Sequence, residues 1–124
     1  MIINMEPREL SPDVSAIIFT GRLVLGNRLK EVEHSIQQRI QQGLKTLVLD
    51  FTGVNFIDSS GIGVLAYCIG TMEQQGGKLV VVCPPGQVRQ LMKLTHLDQR
   101  VEVFLDLSSA QTALSGPPTA PPAA

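Results

Sequence analysis

The sequence predicts an α/β fold: one domain with a mixed, mostly parallel sheet of about five strands, about four helices and an opening β-hairpin. Three observations lead there. Strand-like and helix-like segments alternate through the second half of the chain, which implies parallel strands joined by right-handed crossovers. Two strand-like segments precede the first helix with only a short turn between them, the pattern of an antiparallel hairpin. At 124 residues with 44% hydrophobic side chains, the chain is long enough for one cored domain and too short for two.

Taken in order, Ile3 to Leu10 is a strand candidate ended by Ser11-Pro12-Asp13, a turn signal. Ser15 to Thr20 is the second strand, closed by Gly21. Asn27 is placed to cap the first helix, in which Leu29, Val32, Ile36, Ile40 and Leu44 recur at three- and four-residue steps. Gly43 suits its C-terminal stop. Leu47-Val48-Leu49 is a continuous apolar run between polar residues, the pattern of a strand buried on both faces.

A second helix begins near Ser59 and ends around Gln75, where Gly76-Gly77 terminates it. Leu79 to Cys83 is the next strand, and Pro84-Pro85-Gly86 forces a turn. Val88, Leu91, Met92 and Thr95 share one face of a shorter helix, and Val101 to Phe104 alternates as a last strand. Ser108 with Gln111 forms a capping-box pattern that opens a final helix through Leu114. The fold is therefore expected over residues 1–115. Residues 116–124 carry four prolines without apolar periodicity, the composition of a disordered Pro/Ala-rich tail.

Ten basic residues against eleven acidic leave a formal charge of -1 with no basic stripe, which argues against direct nucleic-acid binding. The start, Met1-Ile2-Ile3-Asn4-Met5-Glu6, lacks the pattern of a signal peptide. The longest apolar run, Val64 to Ile69, falls far short of the roughly 20 residues that cross a bilayer. A cytoplasmic protein without membrane insertion is expected. Cys68 and Cys83 have neither CxxC spacing nor accompanying histidines, so they read as reduced, buried thiols, and no metal or cofactor is implied.

The most informative stretch runs from Lys45 to Gly63, where a buried strand passes through a sharp turn into an apolar helix. Asp58 or Ser59 can cap that helix. Its positive end also favours an anion, so a phosphate on Ser59 would sit in a stabilising field. Gly61 and Gly63 are expected to leave the hydroxyls of Ser59 and Ser60 uncovered. The helix carries two stripes. Ile62, Leu65, Ala66, Ile69 and Met72 should face the sheet, while Ser60, Val64, Tyr67 and Thr71 make a second stripe suited to a partner.

An ordered set of these residues resembles the STAS family, the domain of bacterial anti-sigma factor antagonists and sulphate transporter tails. The set comprises Gly21, Leu47 to Asp50, Val54 to Gly63, Gly76-Gly77, Leu79 to Val82, Val88 to Leu97, and Ser109 with Ala113-Leu114. The resemblance spans essentially residues 3–115. It implies a partner-switching regulator of transcription rather than an enzyme. The unphosphorylated form would bind an anti-sigma factor of the serine-kinase type and free the sigma factor. Phosphorylation at Ser59 would switch it off, and a PP2C-like phosphatase would reset it. Asp58, Ser60, Gly61 and Gly63 would shape the site, and Val64 and Tyr67 would touch the partner. A monomer or weak homodimer is expected.

The resemblance departs at Val24, where similar antagonists usually carry an aspartate, and at His96, where a glycine is common. Two other classes fit less well. A serine nucleophile needs a base, yet only His34 and His96 are available and no Gly-x-Ser-x-Gly surrounds the serines. Neither GxxxxGK[ST] nor GxGxxG after a strand is present for nucleotide binding. The remaining alternative is a STAS subunit of a lipid-transport ATPase complex, or another non-catalytic STAS interaction module.

Overall fold

The computed structural model describes residues 3–26 and 28–115. The cap expected of Asn27 and the tail expected over 116–124 lie outside those residues. Strands β1 (Asn4–Ser11) and β2 (Val14–Leu23) form the antiparallel hairpin. There follow α1 (Leu29–Gln41), β3 (Thr46–Ile57), α2 (Ser59–Gln74), β4 (Lys78–Val82) and α3 (Gln87–Leu94). A 3-10 turn at Leu97–Gln99, β5 (Glu102–Phe104) and α4 (Leu107–Ser115) complete the order. The five strands lie in sequence order, and β2 to β5 pair in parallel.

Strand alternation sorts the side chains onto two faces. Ile17, Phe19, Leu47, Leu49, Leu79 and Val81 enter the larger core with Val32, Ile36 and Ile40 of α1. Leu65, Ile69 and Met72 of α2 join them, as do Val88 and Met92 of α3. On the other face Ala16, Val48, Val80 and Val82 pack with Ala110 of α4. The apolar run in β3 is thus buried on both faces, as its composition predicts.

Three details differ from the sequence reading. Strand β2 does not close at Gly21; it continues to Leu23, with Gly21 at φ 114°, a conformation open to glycine. Strand β3 likewise runs on to Ile57, because two irregularities of register against β2 each place one extra residue in β3. Gly53 lies at the first of these. A Cβ there would stand 2.6 Å from Thr20 Cγ2 and 2.9 Å from the Phe19 carbonyl oxygen.

The third concerns α4. Its cap is Asp106, whose Oδ1 accepts the Ser109 N–H at 2.7 Å, and Ser108 sits inside the helix. A charged acceptor one residue before the helix takes the role expected of the Ser108–Gln111 box. His96 has φ 62°, which accounts for glycine being the easier residue at that position, and it is exposed.

Cys68 and Cys83 are buried free thiols. Burial, reinforced by the Glu33 charge, pushes the Cys68 thiol up to about 12. Burial also raises Cys83; Arg89 opposes that shift and Asp50 adds to it. Since the thiolate is the nucleophile, neither should react in the native state. Iodoacetamide at pH 8 is expected to leave both unmodified in the folded chain and to alkylate both in denaturant. Rapid labelling of Cys68 in the native protein would contradict the packing described.

Candidate functional site

The end of β3 is held from both sides. Strand β4 pairs only with Thr46 to Asp50, so beyond that point β3 keeps β2 as its strand neighbour, out to Leu23 opposite Ile57. At Ile57 the other side is taken by Gln87, the first residue of α3. Its Nε2 donates to the Ile57 carbonyl oxygen at 2.8 Å, and its Oε1 accepts the Ile57 N–H at 3.0 Å.

Asp58 is the single residue between β3 and α2, with extended backbone at φ -105° and ψ -175°. Its Oδ1 accepts the Gly61 N–H at 3.0 Å and caps the helix, so the capping role belongs to Asp58 rather than Ser59. Its Oδ2 accepts the Leu25 N–H, also at 3.0 Å, and its own N–H donates to the Leu23 carbonyl oxygen at 3.3 Å. The loop from β2 to α1 is therefore fastened to Asp58 on both sides of Val24, the half-buried residue standing in the usual aspartate position.

Burial works to raise the Asp58 pKa, but backbone N–H groups of Gly61, Leu25 and Ser60 outweigh it and hold the carboxyl below its ordinary value. A depressed folded pKa gives stability that is present above the unfolded value of about 3.9 and is lost as pH falls through the folded value. Asp58→Asn removes that titration and places an amide against one N–H donor. Thermal melts between about pH 5 and 2 should show a shallower acid slope for the variant than for the natural chain. Parallel acid slopes would contradict the role given to Asp58.

Ser59, the first residue of α2, is exposed; Ser60 is half-buried. The two glycines differ. Gly63 is exposed with nothing within 4 Å of a Cβ built on it, as an open site requires. Gly61 is buried. A Cβ there would lie 2.4 Å from the Leu23 carbonyl oxygen and 2.6 Å from Ile57 Cγ1. Its part is close packing of α2 onto β2 and β3, not exposure of the hydroxyls.

The second stripe of α2 is also only partly open. Val64, expected on a partner face, is 7% exposed and belongs to the core, because α1 packs alongside α2. Tyr67 is 51% exposed, as expected. Between α1 and the start of α2 lies a groove of about 590 Å³. Leu25, Leu29, Ser60, Gly63 and Val64 line it, together with charged residues that include the Arg28–Glu31 ion pair at 2.6 Å. Leu25 is 75% exposed. Neither Leu25 nor Gln87 stands out in the sequence, since each is tied to the site by one amide across about thirty residues of chain: 33 for Leu25 and 30 for Gln87.

Among the described residues no group of three or more His, Cys, Asp or Glu side chains could hold a metal ion. Among the same residues no helix is long and apolar enough to cross a membrane.

The chain is thus an α/β domain with an exposed serine at a helix start beside a groove. Its sequence places it more narrowly: the STAS domain profile matches residues 9–110, and the chain belongs to the STAS domain family.

Relatives of two kinds match the chain. The chain is 24% identical over 106 residues to a candidate anti-sigma factor antagonist of Thermotoga maritima, covering 86% of this chain and 94% of the relative. It is 29% identical over 90 residues to YvdB, a candidate sulfate transporter of Bacillus subtilis; this is 73% of the chain but only 17% of the transporter's length. In three dimensions it resembles an anti-sigma factor antagonist from Mycobacterium paratuberculosis. The TM-score is 0.80 at 24% identity, over 90% of this chain and 92% of that one. It also resembles the antagonist SpoIIAA in its unphosphorylated form (TM-score 0.77, 19% identity, 92% and 98% covered). The phosphorylated form of Bacillus SpoIIAA gives 0.70 at 18% identity, with 89% and 99% covered. These structural likenesses are likenesses of fold.

Proposed function

We propose that this chain is an anti-sigma factor antagonist that works by partner switching, with Ser59 as its phosphoacceptor. The observation that carries the reading is the placement of Ser59: exposed, first in α2, next to the capping Asp58 and close to the apolar groove. The unphosphorylated face binds an anti-sigma factor of the serine-kinase type, and phosphorylation releases it. Leu25 and Tyr67 give the face its exposed apolar surface, Val64 lies in the wall of the groove, and Gly63 leaves the approach to Ser60 open. Asp58 and Gly61 fix the helix start. The Thermotoga relative supports the general role, and SpoIIAA, solved with and without phosphate, supports a phosphorylation switch on this fold.

The energetics fit a switch. A phosphoserine adds roughly -1.5 to -2 charges. Like charges brought together across an interface cost several kcal/mol, and about 4 kcal/mol is a thousandfold in affinity.

A second reading is a non-catalytic STAS subunit seated on a transporter complex. Two observations favour it: the transporter relative, and Val24 in place of a carboxylate near Ser59. A pull-down from the native host, with mass spectrometry of the captured proteins and of the Ser59 peptide, separates the two. Partner switching requires a kinase-type anti-sigma factor and a phosphorylated Ser59 fraction. Transporter subunits with unmodified Ser59 would overturn it in favour of the second reading.

A further inference from the structure

We infer that Gln87 is a positioning residue for Ser59, replacing a missing strand with its side chain. The inference rests on Ser59 being the phosphoacceptor for its functional meaning, but its geometry stands alone. Strand β4 ends at Val82, and Pro84 and Pro85 follow, neither of which has an N–H to offer a ladder. Both backbone polar groups of Ile57 nevertheless find partners on that side, in one carboxamide. Gln87 offers one donor and one acceptor, at 2.8 and 3.0 Å, as a residue of a neighbouring strand would.

The position of the clamp gives it a consequence. Ile57 is the last residue of β3, Asp58 follows, and Ser59 is only two residues beyond the clamp. The Leu23 side of the same junction is fixed by the Asp58 N–H. Gln87 therefore closes the second side of a frame whose next exposed group is the Ser59 hydroxyl. Phosphoryl transfer depends on presenting that hydroxyl in a narrow range of geometry, so the clamp acts on the chemical step rather than on capture of the kinase.

Gln87→Met keeps the length and bulk of the side chain and removes both hydrogen bonds. Gln87→Glu keeps an acceptor for the Ile57 N–H and loses the donor. Amide hydrogen exchange of the chain alone decides the geometry: Ile57 and Asp58, whose N–H groups are bonded to Gln87 and Leu23, should exchange about tenfold faster or more in Gln87→Met, while Leu49 and Val81 keep their protection. Gln87→Glu should fall between the two. Unchanged exchange at Ile57 and Asp58, or an equal loss at Leu49 and Val81, overturns the positioning role.

The kinase captured on the immobilised natural chain then reads the consequence with ATP. A fall in kcat of about tenfold with KM unchanged is expected for Gln87→Met. Equal kcat for the variant and the natural chain would reject positioning for transfer. No transfer to Ser59 of the natural chain would reject the proposed function instead, and the exchange result would still decide the clamp.

Discussion

Gly61→Ala is expected to lower stability by about 3 kcal/mol, among the larger effects of one added methyl group. The new Cβ would lie 2.4 Å from the Leu23 carbonyl oxygen, and that oxygen also accepts the Asp58 N–H. A backbone atom held by a hydrogen bond cannot swing aside as a flexible side chain does. Relief would require α2 to shift away from β2, which strains the Asp58 cap on Gly61 and opens the core around Leu23 and Ile57. Gly63→Ala is the matched control. Its Cβ meets nothing within 4 Å, and alanine inside a helix is better than glycine by about 0.5–1 kcal/mol. Urea denaturation should therefore move in opposite directions for the two variants. Similar midpoints would mean that α2 does not sit against the sheet as described.

Ser59→Asp is expected to abolish binding to the kinase-type anti-sigma factor, on the order of a thousandfold in affinity, while Ser59→Ala binds as the natural chain does. The contrast is electrostatic rather than structural. Ser59 is exposed and makes no contribution to the core, so neither substitution should move stability beyond about 0.5 kcal/mol. An aspartate carries one charge where phosphoserine carries roughly two, so it gives a lower bound on the switch. Ser59→Ala should also be locked in the binding state in the presence of ATP. Equal affinity of the aspartate and alanine variants, measured by calorimetry, would remove the basis for a switch at this position.

The sequence carries the order of the elements because hydrophobic period alone separates them. Leu47-Val48-Leu49 has the continuous apolar run of a strand covered on both sides, and Val32, Ile36 and Ile40 have the spacing of one helix face; the two cores bury them so. What it does not carry is information held by distant partners. Thr52-Gly53-Val54 resembles the beginning of a turn, yet pairing with Thr20 and Gly21 of β2 holds it in the strand. The cap of α4 is a local difference instead: Asp106, three residues before the Ser109 N–H, takes the role expected of Ser108, which lies inside the helix.

At the candidate site, the helix start at Asp58 and Ser59 is legible from local chemistry, but the division of labour between the two glycines is not. Gly61 and Gly63 are alike in sequence; only the nearness of Leu23 and Ile57 makes one a packing glycine and the other an open one. The periodicity of α2 gives two apolar stripes without saying that α1 covers Val64 and leaves Tyr67 out. Gln87 gives no local sign at all, because its two hydrogen bonds reach back thirty residues.

In the proposed switch one hydroxyl, that of Ser59, governs one interface. The switch is tested most directly by incubating the chain and its captured anti-sigma kinase with ATP, then locating the phosphoryl group by fragmentation mass spectrometry while following the complex by size-exclusion chromatography. Phosphate is expected on Ser59 alone, with loss of the complex in step with its appearance. Phosphate on Ser60, or a complex that persists with Ser59 fully phosphorylated, would contradict it.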